Sequence, residues 1–250
     1  MLTLATAIFG FVISCLLIFF VRHHRFVNRF LGIAFFALSF RSLSIYLLYE
    51  HYIPDSYLIG SVSFVYYWIV PMIYLYVRSV TNGEVDFSGR DWIHFIIPVL
   101  AGLLALGYLV EGFLNTGQWN VPLQAIRSEP GTNGWPVPVI WHGLLIFIAG
   151  SFYTVLCWRL VLRRFFLSIP VNRQAIRMRN WVCMLMVMCT LLMLALVLEP
   201  FLYFIAGANT YVHLMGIRSV ILIFIFSQVV INSKLLYGMP EDSSERRRTL

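Results

Sequence analysis

Long apolar runs alternate with short polar connections along this chain. Seven runs stand out, near 2–21, 30–49, 58–80, 92–110, 139–162, 181–206 and 211–231. Each approaches or exceeds the roughly 20 apolar residues that carry an α-helix across bilayer hydrocarbon. The pattern predicts an all-α membrane protein, a seven-transmembrane helix bundle over 1–233. Residues 234–250 then form a cytoplasmic exit linker and tail. Connections are short except for 111–137, which is rich in Gly, Pro, Asn and Thr and carries Trp119 and Trp135. A loop of that length reads as an outer lid over a pocket or as an ordered, inert hairpin.

Small residues mark where helices approach each other. Thr3, Ala7, Gly10 and Ser14 share one stripe of the first run; Gly143, Gly150, Thr154 and Cys157 share one of the fifth. Pro71, Pro98 and Pro200 interrupt three runs, and kinks are their default meaning.

Composition agrees with the pattern. The chain is 60% hydrophobic and only 12% charged, whereas a soluble domain is about one quarter charged. Charge then orients it. Of 18 basic residues, 15 fall on one side: Arg22, Arg25, Arg29, Arg78, Arg90, the six arginines between 159 and 179, Lys234 and Arg246–Arg248. Arg127 alone stands on the other side. The positive-inside rule makes the basic side cytoplasmic, the N-terminus external and the C-terminus internal. The basic cluster follows the first run rather than preceding it, the reverse of a secretory signal. The inner segment 163–180 sets topology, and its arginines suit anionic headgroups as well.

Three charged residues lie inside runs: Arg41, Glu199 and Arg218. At 1.5 Å per residue they fall ~10–13 Å below the outer ends of their helices. An ionisable side chain at a helix centre costs about 2.5–3.5 kcal/mol to insert, so pairing inside the bundle is expected. The sixth and seventh runs are joined by a short turn, which makes Glu199 and Arg218 natural partners. Arg41 adds a second positive charge. Tyr203, Tyr211 and His142 would complete a polar pocket opening outward beneath the long loop. Its expected ligand is an anion: a carboxylate, a phosphate headgroup or an anionic small molecule. The alternative is a structural salt bridge that fixes helix register.

Other chemistry is sparse. No H-E-x-x-H, P-loop, G-x-G-x-x-G or G-x-S-x-G is present. The four cysteines, Cys15, Cys157, Cys183 and Cys189, all lie within runs at no metal-ligand spacing. No catalytic residue, metal site, cofactor or enzymatic activity is expected. The alternative function is a small multi-pass transporter or channel, although no internal repeat is evident in the sequence.

Three stretches resemble a known family. "VPMIYLYVRSVTNGEVDF" (70–87), "DWIHFIIPVL" (91–100) and "INSKLLYGMP" (231–240) are similar, in order and spacing, to segments of membrane-bound AraC-type bacterial transcriptional regulators. The resemblance is to their N-terminal seven-transmembrane sensory domain. It implies a bacterial inner-membrane input domain, with the helix-turn-helix DNA-binding domain that follows in the family missing from this sequence. It further implies action as a homodimer, signal exit near Lys234, Tyr237 and Gly238, and no direct nucleic-acid contact by these 250 residues. It assigns no ligand residues.

Overall fold

The computed structural model describes residues 1–20, 25–50, 55–82, 87–116, 137–166, 173–206 and 208–232. Seven α-helices are found there, and no strand among the described residues: α1 Leu2–Cys15, α2 Arg25–Tyr49, α3 Asp55–Asn82, α4 Ile93–Thr116, α5 Val137–Val161, α6 Arg173–Ala206 and α7 Ala208–Ile231. Each coincides with one of the seven apolar runs. Among the described residues, five of them, α1 and α5 counted with the π-helical turns that continue them, are long and apolar enough to cross a membrane: Leu2–Phe20, Val27–Leu47, Leu144–Phe166, Ile176–Ala195 and His213–Ile231.

Boundaries depart from expectation where polar residues continue a helix beyond its apolar run. Helix α6 begins at Arg173 rather than near 181, so the end of the basic segment 163–180 is helical, not loop. Helix α4 continues to Thr116 through the start of the expected loop 111–137. Neither stretch contains a proline, so nothing forces the backbone out of the helix before those points. The remainder of that loop, and the exit residues Lys234, Tyr237 and Gly238, lie outside the described residues. Helices α1 and α5 finish alike, each in a π-helical turn that ends in a Phe–Phe pair: Leu16–Phe20 and Leu162–Phe166.

Six helices pack as a closed ring in the order α1, α2, α3, α5, α6, α7 and back to α1; α4 lies outside it against α3. Two contacts reach across: Phe35 of α2 meets Phe226 of α7 edge to face at 5.0 Å, and Trp181 of α6 donates from Nε1 to the Tyr76 hydroxyl of α3 at 2.7 Å. Around them the core is filled by Leu31, Met72, Leu75, Leu185, Met186 and Ile225. Helices α1 and α7 run parallel, as Ser219 bonds Thr3 and Phe226 stacks on Phe9. Helices α1 and α2 run antiparallel, with Ser14 donating to the Gly32 carbonyl and Phe11 against Phe36.

The small-residue stripe of α1 is where this packing is tightest. A Cβ on Gly10 would collide with Ser39 Oγ and would sit 2.5 Å from the Phe226 ring, so glycine is needed for three helices to meet. Gly150 of the α5 stripe likewise receives the Met193 methyl from α6. Other buried hydroxyls are satisfied within their own helices: Thr6 to the Leu2 carbonyl, Ser39 to Phe35, Ser42 to Leu38 and Thr81 to Val77. A bilayer offers no water to satisfy them otherwise.

Polarity is distributed inside out. The exposed face of α4 carries Ile93, Ile96, Ile97, Val99, Leu100, Leu103 and Leu106, while Ser39, Ser42, Ser44, Arg41 and Arg218 are buried. A helix with so many exposed large apolar side chains suits a protein whose solvent is lipid.

Candidate functional site

Two polar regions stand at opposite ends of the bundle. The first lies toward the end holding Leu2. Arg41 of α2 and Arg218 of α7 are each only 8% exposed, on inward faces of their helices. The place where Gly10, Ser39 and Phe226 meet gives a common reference level. From it, Arg41 lies ~3 Å and Arg218 ~12 Å toward the Leu2 end, a stagger of less than two helical turns. The setting is hydroxyl-rich. Ser42 and Ser44 flank Arg41, and Ser219, beside Arg218, donates to Thr3 at 3.4 Å. Guanidinium groups present five N–H donors in a planar fork that matches a carboxylate or phosphate.

The structure therefore brings Arg41 and Arg218 into the interior of the same half. Glu199 and Tyr203 fall on α6, Tyr211 on α7 and His142 on α5, but their side chains lie outside the described residues.

The second region is at the opposite end, where α3 hands over to α4. Arg78 forms a two-pronged ion pair with Asp91: Nη1 to Oδ1 at 2.6 Å and Nη2 to Oδ2 at 2.8 Å. Asp91 sits in a 3₁₀ turn, Gly89–Trp92, and is 1% exposed. The backbone N–H of Ser88 donates to its Oδ2 at 2.8 Å, and Ser88 Oγ accepts from the N–H of Arg90 at 3.2 Å. This reciprocal arrangement is a capping box, which satisfies donors that a helix start otherwise leaves bare. The guanidinium bonds of Arg78 hold the Asp91 carboxyl below the usual carboxylate range; burial opposes the shift and the Ser88 N–H assists it.

At the second residue of α4, the His94 ring nitrogen shares a 2.9 Å hydrogen bond with the Tyr153 hydroxyl of α5. Tyr74 of α3 lies against both rings, at 4.9 and 5.5 Å. Beyond this cluster the three helices leave a small apolar notch of about 10 Å³, room for no more than a water molecule. It lies between Pro71, Pro98 and Ala149 and contains no charged residue. Proline cannot donate to the carbonyl four residues back, so both prolines weaken the helix wall there.

The charge reading assigned Arg78 to topology and left Asp91 without a role. Its partner was signalled locally. Ser88-x-x-Asp91 immediately before an apolar run is the capping-box pattern, and a carboxylate fixed there is within reach of an arginine ending the preceding helix. The His94–Tyr153 bond joins positions 59 apart in sequence and has no such local signature. Compared with protein-family models, with curated proteins and with solved structures, the chain matches none of them.

Proposed function

We propose that this chain is the membrane-embedded input domain of a bacterial signalling or transcription-regulatory protein, of the membrane-bound AraC type. It crosses the inner membrane seven times, with the N-terminus outside and the C-terminus in the cytoplasm. The placement of basic residues supports that orientation. The reading rests on one observation: two arginines, Arg41 and Arg218, are buried toward the Leu2 end of the bundle, the end this reading puts outside, among apolar and hydroxyl side chains. Intramembrane ionisable residues are costly, and they mark sites that use charge. An anionic ligand arriving from the outer side, a carboxylate or a phosphate, is the matching chemistry. Such a ligand acts by binding one packing of α2 and α7 better than another. Helix α7 then carries the change to the exit segment after residue 233.

The test is a reporter driven by a DNA-binding domain fused after Pro240, with carboxylates and phosphates supplied outside. Arg41→Leu should abolish the response while membrane-inserted protein persists at wild-type level. Loss of the folded protein itself would identify a register lock instead. Accumulation of a solute in vesicles reconstituted with the chain would assign it to transport.

A further inference from the structure

We propose that Arg159 and Arg163, at the Asp91 end of α5, hold the phosphate headgroup of an anionic glycerophospholipid. The inference is independent of the sensory reading.

Helix α5 presents one exposed stripe, Phe152–Val155–Arg159–Arg163–Phe166, at helical steps of three and four residues. Its first part is apolar, as a lipid-facing helix requires. The two arginines continue the same stripe, so they face the lipid rather than the ring interior. Neither has an ion-pair partner among the described residues. Arg164, next to Arg163 in the π-turn, is exposed too and raises the local positive charge.

Their height can be fixed from a neighbouring helix. The His94–Tyr153 bond sets a common level on α4 and α5. Asp91 lies three residues from His94, ~4.5 Å toward that end; Arg159 lies six residues from Tyr153, ~9 Å in the same direction. Asp91 and its capping turn mark where α4 enters its apolar run. The arginines therefore lie at or just beyond this boundary, at headgroup depth. An acyl chain lying along Phe152 and Val155 would bring its phosphate to the two guanidinium groups. Arginine binds phosphate through paired N–H donors, so two arginines one turn apart form a geometric site in addition to a diffuse positive field. A net negative headgroup is required because a choline lipid supplies its own cation beside the phosphate.

The experiment uses the full chain in phosphatidylcholine vesicles, doped with spin-labelled phosphatidylglycerol or spin-labelled phosphatidylcholine. Electron paramagnetic resonance reads the protein-immobilised fraction of each label. The wild type is expected to prefer phosphatidylglycerol, with the preference falling about fivefold for each arginine removed. Both side chains are exposed, so R159Q/R163Q retains the helix content of the wild type by circular dichroism. R90Q, which removes an exposed arginine beside the capping turn, leaves the preference intact. Millimolar inorganic phosphate leaves it intact as well. The site is overturned by a wild type that does not discriminate, by R159Q/R163Q retaining the preference, or by R90Q losing it equally. Displacement of the labelled lipid by inorganic phosphate overturns the lipid assignment.

Discussion

Replacing Asp91 by Ala tests whether the Arg78–Asp91 pair holds α4 to the ring. Three charge-assisted hydrogen bonds end on this carboxylate, two from Arg78 and one from the Ser88 N–H. Removing one member of a buried ion pair costs about 3–5 kcal/mol, because the other charge stays desolvated. The Arg78 side chain keeps 17% exposure and recovers part of its hydration, which selects the low end, about 3 kcal/mol. Arg78→Leu leaves the more deeply buried Asp91 carboxylate with its Ser88 bond alone, so it should cost at least as much, about 3–4 kcal/mol. If the pair acts as a unit, the double variant costs less than the sum by about 2 kcal/mol. Reversible unfolding in mixed detergent–SDS micelles gives the cycle. Hydrogen exchange in lipid nanodiscs gives the location: α4 packs mainly on α3, so amides near its start should open first. A coupling below about 0.5 kcal/mol, or exchange that rises equally in α1 and α2, would refute the reasoning.

Two further outcomes follow from the same geometry. The Asp91 carboxyl titrates below its unfolded value, so its contribution is complete above the unfolded carboxylate range near pH ~4 and is lost only as pH falls through the lowered folded value. The stability difference between the wild type and Asp91→Asn should thus be constant from about pH 7 to 5 and shrink only in stronger acid, as read from the two unfolding midpoints across pH; a difference that already shrinks near pH 6 would contradict this assignment. Gly10→Ala should destabilise the bundle by about 1–3 kcal/mol through overpacking against Ser39 and Phe226, whereas Gly107→Ala, with nothing within 4 Å of the new methyl, should be neutral or mildly stabilising in the same assay.

The helices were legible because each depends on local composition: an apolar run of the right length is helical in lipid whatever its neighbours. The stripe through Gly10 and Ser14 was legible for a related reason, since close approach between membrane helices requires small side chains. Ring order was not, because an apolar helix face carries no address; Phe35 meets Phe226 across 191 positions through shape alone. Arg41 and Arg218 could be singled out from sequence since charge in a span is conspicuous, and their burial follows from its cost. Asp91 escaped notice for the opposite reason. It stands one residue outside its run, where a carboxylate looks like ordinary loop polarity. Arg78, read as a topology signal, turned out to be 2.6 Å from it.

That asymmetry has a physical origin. In water, burial of apolar area distinguishes core from surface and hydrophobic residues locate the interior. In a bilayer, Ile96 or Leu103 of α4 gains little by leaving lipid for protein, so hydrophobicity stops reporting position. The informative residues become the polar ones, since only the interior or the boundary can satisfy them. Every buried hydroxyl whose bond is described here returns to a backbone carbonyl or joins another side chain across helices. Each of the two charged sites then takes one of the two tolerable locations: Arg41 and Arg218 within the ring, Arg78 and Asp91 at its rim. At the rim, both carboxylate oxygens and both terminal guanidinium nitrogens are engaged with each other. On the proposed reading, a soluble anion should protect α2 and α7 from hydrogen exchange and leave the start of α4 unchanged, and the reverse pattern would move the recognition site to the rim.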